Sequence, residues 1–167
     1  MKFRIEEKEA FKLVGIMLTT TNEKRTGYRE VPKLWEQVIK NENQRNELLS
    51  YMDIQPFGMI GASVYNIDSD DARKFEYYIG CASSKETPSN LKEYIVPACT
   101  WAIFPCKNSD VGKTEFNIVA KWQPTSEYEL LNSGYETGYM KSLAPDLAVH
   151  GQGDDAEVWV AVKRKEK

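Results

Sequence analysis

Histidine is almost missing from this sequence: His150 is the only one in 167 residues. One imidazole and scattered carboxylates do not make a closed transition-metal site, so no metal is expected. Cysteine is scarce as well. Cys81, Cys99 and Cys106 are odd in number and show no C-x-x-C spacing, which argues against a disulfide framework and fits a reducing cytoplasm with small buried thiols. There is no G-x-S-x-G, and no cysteine has an identifiable base beside it, so a nucleophilic triad is not expected. G-x-G-x-x-G and P-loop patterns are lacking too, and no cofactor is implied. The acidic "DSDD" (68–71) lacks the calcium-loop pattern and reads as a turn.

No apolar run approaches the roughly 18 residues of a membrane span. The N-terminal "MKFRIEEKEAFKLVG" has no signal-peptide stretch, so a cytoplasmic, membrane-free protein is expected. Positive charge is also short: the net charge is −3, and the one basic run is the C-terminal "KRKEK". That run reads as a solvated strand end, and no direct contact with nucleic acid is expected.

What the sequence does have is aromatic residues, nine Tyr, six Phe and four Trp, set in a repeated order of elements. "FKLVGIMLTTT" (11–21) reads as a strand. "REVPKLWEQVIKNEN" reads as a helix, with Pro32 suited to a first turn and Leu34, Trp35, Val38 and Ile39 on one stripe. It continues or restarts through "QRNELLSYM". "FGMIGASVYNI" (57–67) and "KFEYYIGCA" (74–82) follow as strands. The second half repeats the order, with "YIVPACTWAIFPC" (94–106) as a strand and "GKTEFNIVAKW" (112–122) as a helix. "DLAVH" (146–150) and "AEVWVAVK" (156–163) follow as strands. The closing strands of the halves align without a gap: Glu76 falls on Glu157, Tyr78 on Trp159 and Gly80 on Ala161. A duplication is inferred, repeat one at about 1–84 and repeat two at about 92–167, in a single domain spanning 1–167.

Two strand–helix–strand–strand units predict an α+β fold with pseudo-two-fold symmetry, an antiparallel sheet with helices on one face, and a ligand cleft. If the helices cover Phe75, Tyr77, Ile79, Val158, Val160 and Val162, the other face presents Glu76, Tyr78, Glu157 and Trp159 as an open cleft. Aromatic faces attract cations, and carboxylates supply the counter-charge. The candidate ligand-binding residues are therefore Glu157, Trp159, Glu76, Tyr78, Trp35 and His150, with no catalytic residue. Read separately, Glu76 and Glu157 also fit ordinary cross-strand pairs with Lys or Arg, and Tyr78 and Trp159 also fit a core covered on both sides.

The chain resembles the GyrI-like, AraC-type effector-binding domain family over nearly its whole length. The resemblance is carried by "FKLVGI", "VPKLW", "FGMIGA", "FEYYIGC", "IVPACTWAIF", "KWQPTSEYEL" and "AEVWVAV", taken in order. It implies a non-catalytic binding module for lipophilic, cationic aromatic compounds, of the kind found in regulators of multidrug response. It also implies a stand-alone member without its own DNA-binding domain, as a monomer or a homodimer. Two alternatives come with it: a small hydrolase of reactive ligands acting through Glu157 and Trp159, or a protein-level antagonist of a topoisomerase. The family's cation binders carry a glutamate in the penultimate strand, where "PDLAVH" has Ala148, with His150 at a tyrosine position; Asn132 to Ala144 reads as extra sequence.

Overall fold

The computed structural model describes residues 1–132 and 144–166. Apart from its two ends, the extra segment read between Asn132 and Ala144 lies outside the described residues. The elements are β1 (Arg4–Lys8), β2 (Phe11–Thr21), α1 (Thr26–Lys40), α2 (Glu42–Ser50), β3 (Met59–Val64), β4 (Lys74–Ala82) and β5 (Lys92–Val96). They continue with β6 (Cys99–Lys107), α3 (Val111–Asn117), β7 (Tyr128–Leu130), β8 (Asp146–His150) and β9 (Asp155–Arg164). A π-helical turn, Ile118–Trp122, extends α3.

The strands form one antiparallel sheet in the order β1-β6-β9-β8-β3-β4-β2-β5, with β7 added beside β9. The pseudo-two-fold is visible in the register. Tyr78 lies opposite Ala62, Trp159 lies opposite Leu147, and Ala62 and Leu147 lie opposite each other at the seam of the two halves. The stretch 94–106, read as one strand, is two strands in opposite halves of the sheet. β5 ends at Val96 and pairs with β2, while β6 starts at Cys99 beyond Pro97 and pairs with β1 and β9. Proline has no N–H for a ladder, and the chain turns away there. β1 and the three-residue β7 are further additions that alternation alone did not mark.

α1 begins earlier than the proline suggested, so Pro32 sits inside the helix rather than in its first turn. The donor it lacks would have met the carbonyl of Tyr28, which lies on the exposed side, so the loss is tolerable. α2 is a restart: Asn41 caps it by accepting from the Gln44 N–H at 3.1 Å. Val38 and Leu48 are buried, but Ile39, read as part of the core stripe, is 62% exposed.

The helices cover the expected face. α1 and α2 pack over Phe75, Tyr77 and Ile79, and α3 with its extension packs over Val158, Val160 and Val162. The opposite face is not the open cleft expected. Tyr78 and Trp159 are 6% and 3% exposed and belong to a cluster drawn from both halves, with Leu13, Val96, Trp101 and Leu147. Tyr78 stacks on Tyr94 with centroids 5.3 Å apart, and Trp159 tilts against Trp101 at 5.7 Å. Period-two alternation assigned these residues to the correct face, but the packing of the other strands buries that face.

Candidate functional site

The helices over the two halves form separate apolar clusters. Between them, above β3 and β8, lies a cleft of about 940 Å³. Its floor follows from strand parity. Ile60, Ala62, Leu147 and Val149 point into the buried face, which leaves Met59, Gly61, Ala148 and His150 on the helix side. Gly61 and Ala148 lie opposite each other; Ala148 lines the floor, while the Tyr77 hydroxyl and the Trp35 ring pack over Gly61.

Two walls are aromatic. Trp35 of α1 donates its indole N–H to the Tyr77 hydroxyl at 2.7 Å and meets His150 edge-on with centroids 4.8 Å apart. Asn108 donates through Nδ2 to the Gly153 carbonyl, which turns its Oδ1 toward His150 Nδ1 at 2.8 Å. His150 therefore carries its proton on Nδ1 and offers Nε2 as an acceptor. Burial lowers its pKa, so it is neutral at pH 7. Burial also raises the pKa of Tyr77, whose hydroxyl stays protonated. Ile39, Leu49 and Phe57 form an apolar rim.

Two carboxylates line the cleft: Glu36 of α1, which is paired with Lys40, and Glu115 of α3. Glu115 is exposed to solvent. Desolvation by the surrounding protein, with Asp146 second, nevertheless pushes its pKa up to about 7. No Ser, Thr or Cys lines this cleft among the described residues, and no group of His, Cys, Asp or Glu among them could hold a metal ion.

The six residues singled out from the sequence separate. Trp35 and His150 meet in the cleft. Glu76, Tyr78, Glu157 and Trp159 lie on the opposite face of the sheet, where the doubled acid–x–aromatic has a local explanation. Tyr78 donates to Glu76 at 3.3 Å, and the Trp159 indole donates to Glu157 at 3.2 Å. Each carboxylate thus accepts the hydrogen of the buried ring two residues on. Glu157 also pairs with Arg4 of β1 at 2.7 Å, at the side of a polar hollow of about 650 Å³. This pair is partly exposed, and such pairs are worth about 0.2–1 kcal/mol. Glu157→Gln keeps an acceptor for Trp159 and is expected to cost no more than about 1 kcal/mol in a denaturant titration.

Reading the sequence missed Glu115, Tyr77 and Gly61 as site residues. Glu115 did leave a signal: it precedes Ile118 and Trp122 by three and seven positions, a carboxylate on the apolar stripe of its helix. Tyr77 was assigned to the covered face but not to the part of it that remains open.

A GyrI-like small-molecule binding domain family model matches residues 1–163. The chain belongs to this family. None of the curated proteins matches it in sequence. Among solved structures it is similar to SAV2435 bound to tetraphenylphosphonium, with a TM-score of 0.75 at 16% identity over 98% of this chain and 94% of that one. It is also similar to a Staphylococcus aureus MU50 protein described as a candidate for bacterial transcription regulation, with a TM-score of 0.73, 16% identity, and 98% and 99% of the two chains covered. An integron cassette protein from the mobile metagenome of Vibrio cholerae follows at 0.62 and 16%, over 96% and 95%. At these identities the likeness establishes the GyrI-like fold. Within it, the open cleft of this member lies on the helix side of the sheet. No helix among the described residues is long and apolar enough to cross a membrane.

Proposed function

We propose that this GyrI-like chain is a non-catalytic binding domain for lipophilic aromatic cations, taken up in the cleft between α1, α2 and α3. The observation that carries the reading is a roomy apolar cleft with an indole wall and, beside the Glu36–Lys40 pair, a second carboxylate, Glu115, lining it. An aromatic face attracts a cation by about 0.5–2 kcal/mol, more when water is excluded. Ile39, Leu49 and Phe57 give the hydrocarbon part of a ligand a place to leave water. The tetraphenylphosphonium bound to SAV2435 has this chemistry. The cation reading made from the sequence is kept, and its location moves from the Glu157 face to the Trp35 face.

Tetraphenylphosphonium titrated by calorimetry tests the reading. Trp35→Ala is expected to weaken binding about tenfold, the upper range of a cation–aromatic contact, while the far-ultraviolet spectrum stays that of the parent. Unchanged affinity in the folded variant would place the ligand elsewhere.

A further inference from the structure

We infer that Glu115 is the counter-charge of this cleft, and that it selects lipophilic ammonium ions bearing an N–H over quaternary cations of the same shape. The inference rests on the cleft reading above and deepens it. On β8, the position facing the cleft floor is Ala148, which offers no charge. The acid that does face the cleft comes from α3, on the wall across from Trp35. Glu36 and Lys40, also in the wall, are paired with each other, and Arg45 is held by the Ile39 carbonyl. The Glu115 carboxylate has no hydrogen bond or ion pair among the described residues.

Its surroundings decide which cation it favours. The Trp35 N–H is spent on Tyr77, and the His150 Nδ1 proton is spent on Asn108. His150 presents only an acceptor at Nε2, so the neutral donors left in the cleft lining are the Tyr77 hydroxyl and the Gln152 amide. A quaternary cation supplies charge but no hydrogen-bond donor to the carboxylate oxygens. An ammonium N–H supplies both, as a charge-assisted hydrogen bond.

Proton linkage gives the inference a second readout. The titratable groups around Glu115 are Asp146 and His150 on β8, Tyr77 on β4, Tyr65 after β3, and Cys106 on β6. A bound cation favours the ionised carboxylate. Affinity therefore rises as pH climbs through the range near 7 where Glu115 loses its proton, and levels off above it. Protonation of His150 at lower pH adds positive charge to the cleft and acts in the same direction.

The test uses three probes on one naphthylmethyl scaffold: protonated dimethyl(naphthylmethyl)amine, its quaternary salt with one methyl in place of the N–H, and neutral isobutylnaphthalene. The parent is expected to bind the ammonium about tenfold tighter than the quaternary salt. Glu115→Gln is expected to remove that advantage and the pH dependence near 7, leaving only the His150 effect at lower pH, while binding the neutral probe as the parent does, which also reports that the variant is folded. Equal binding of the two cations by the parent, with the neutral probe bound, overturns the role of Glu115 alone. An advantage that persists in Glu115→Gln does the same. Failure of all three probes to bind overturns the cleft reading together with it.

Discussion

Trp159→Ala is expected to destabilise the protein by about 3–5 kcal/mol, the range for truncating a buried aromatic to alanine, and to leave ligand affinity in the helix-side cleft at the parental value. Trp159 is 3% exposed, packs against Trp101, and lies opposite Ile103 and Leu147 on the neighbouring strands. Removing the indole leaves a void among side chains that the sheet holds in place, and it takes the donor from Glu157. For a chain of this length the loss corresponds to a melting temperature lowered by about 6–20 °C. Thermal and denaturant unfolding measure the first effect, and calorimetric titration well below the transition measures the second. A folded variant of parental stability with lost ligand affinity would return the site to the Glu157 face.

Gly61→Ala is expected to do the reverse damage, striking the cleft harder than the core. An alanine Cβ there would stand 2.1 Å from the Tyr77 hydroxyl oxygen and 2.9 Å from Cζ2 of Trp35. Tyr77 has little room to retreat, since it is buried beneath α1. The displaced ring gives up its hydrogen bond with Trp35, a loss of about 1 kcal/mol, and the strain of one inserted methyl adds about 1–3 kcal/mol. Trp35 is then no longer fixed as a wall of the cleft. Affinity for a lipophilic cation is expected to fall at least as far as in Trp35→Ala, about tenfold. Parental affinity together with parental stability in Gly61→Ala would show that the floor yields at little cost.

Much of the fold was legible in the sequence because alternation and punctuation agree there. β2 and β4 fall where the β-branched run and the "KFEYYIGCA" stretch placed them. The assignment of Tyr77 and Val158 to the helix face and of Tyr78 and Trp159 to the other was a matter of period two, and it holds. Parity cannot say what covers a face, however. That depends on long-range packing, such as Tyr94 of β5 reaching Tyr78 and Trp101 of β6 reaching Trp159. The repeated acid beside an aromatic was therefore read as a site, whereas in both halves it completes a buried ring's hydrogen bonding. Trp35 and His150, chosen one at a time, do meet in the cleft. Glu115 was visible as a charge out of place on an apolar stripe, but only the gap between the helices gives that charge a role.

The exchange of edge strands has a consequence for the chain as a whole. β1, at the start of the first half, completes the sheet edge of the second, and β5, leading into the second half, completes the edge of the first. A cut anywhere between Ser83 and Leu91 would leave each fragment holding the strand its partner needs. The duplicated units are thus interlocked rather than merely adjacent, and neither is a separable module. The seam between them, which is also the floor of the cleft, thus joins two units that each carry the other's edge strand.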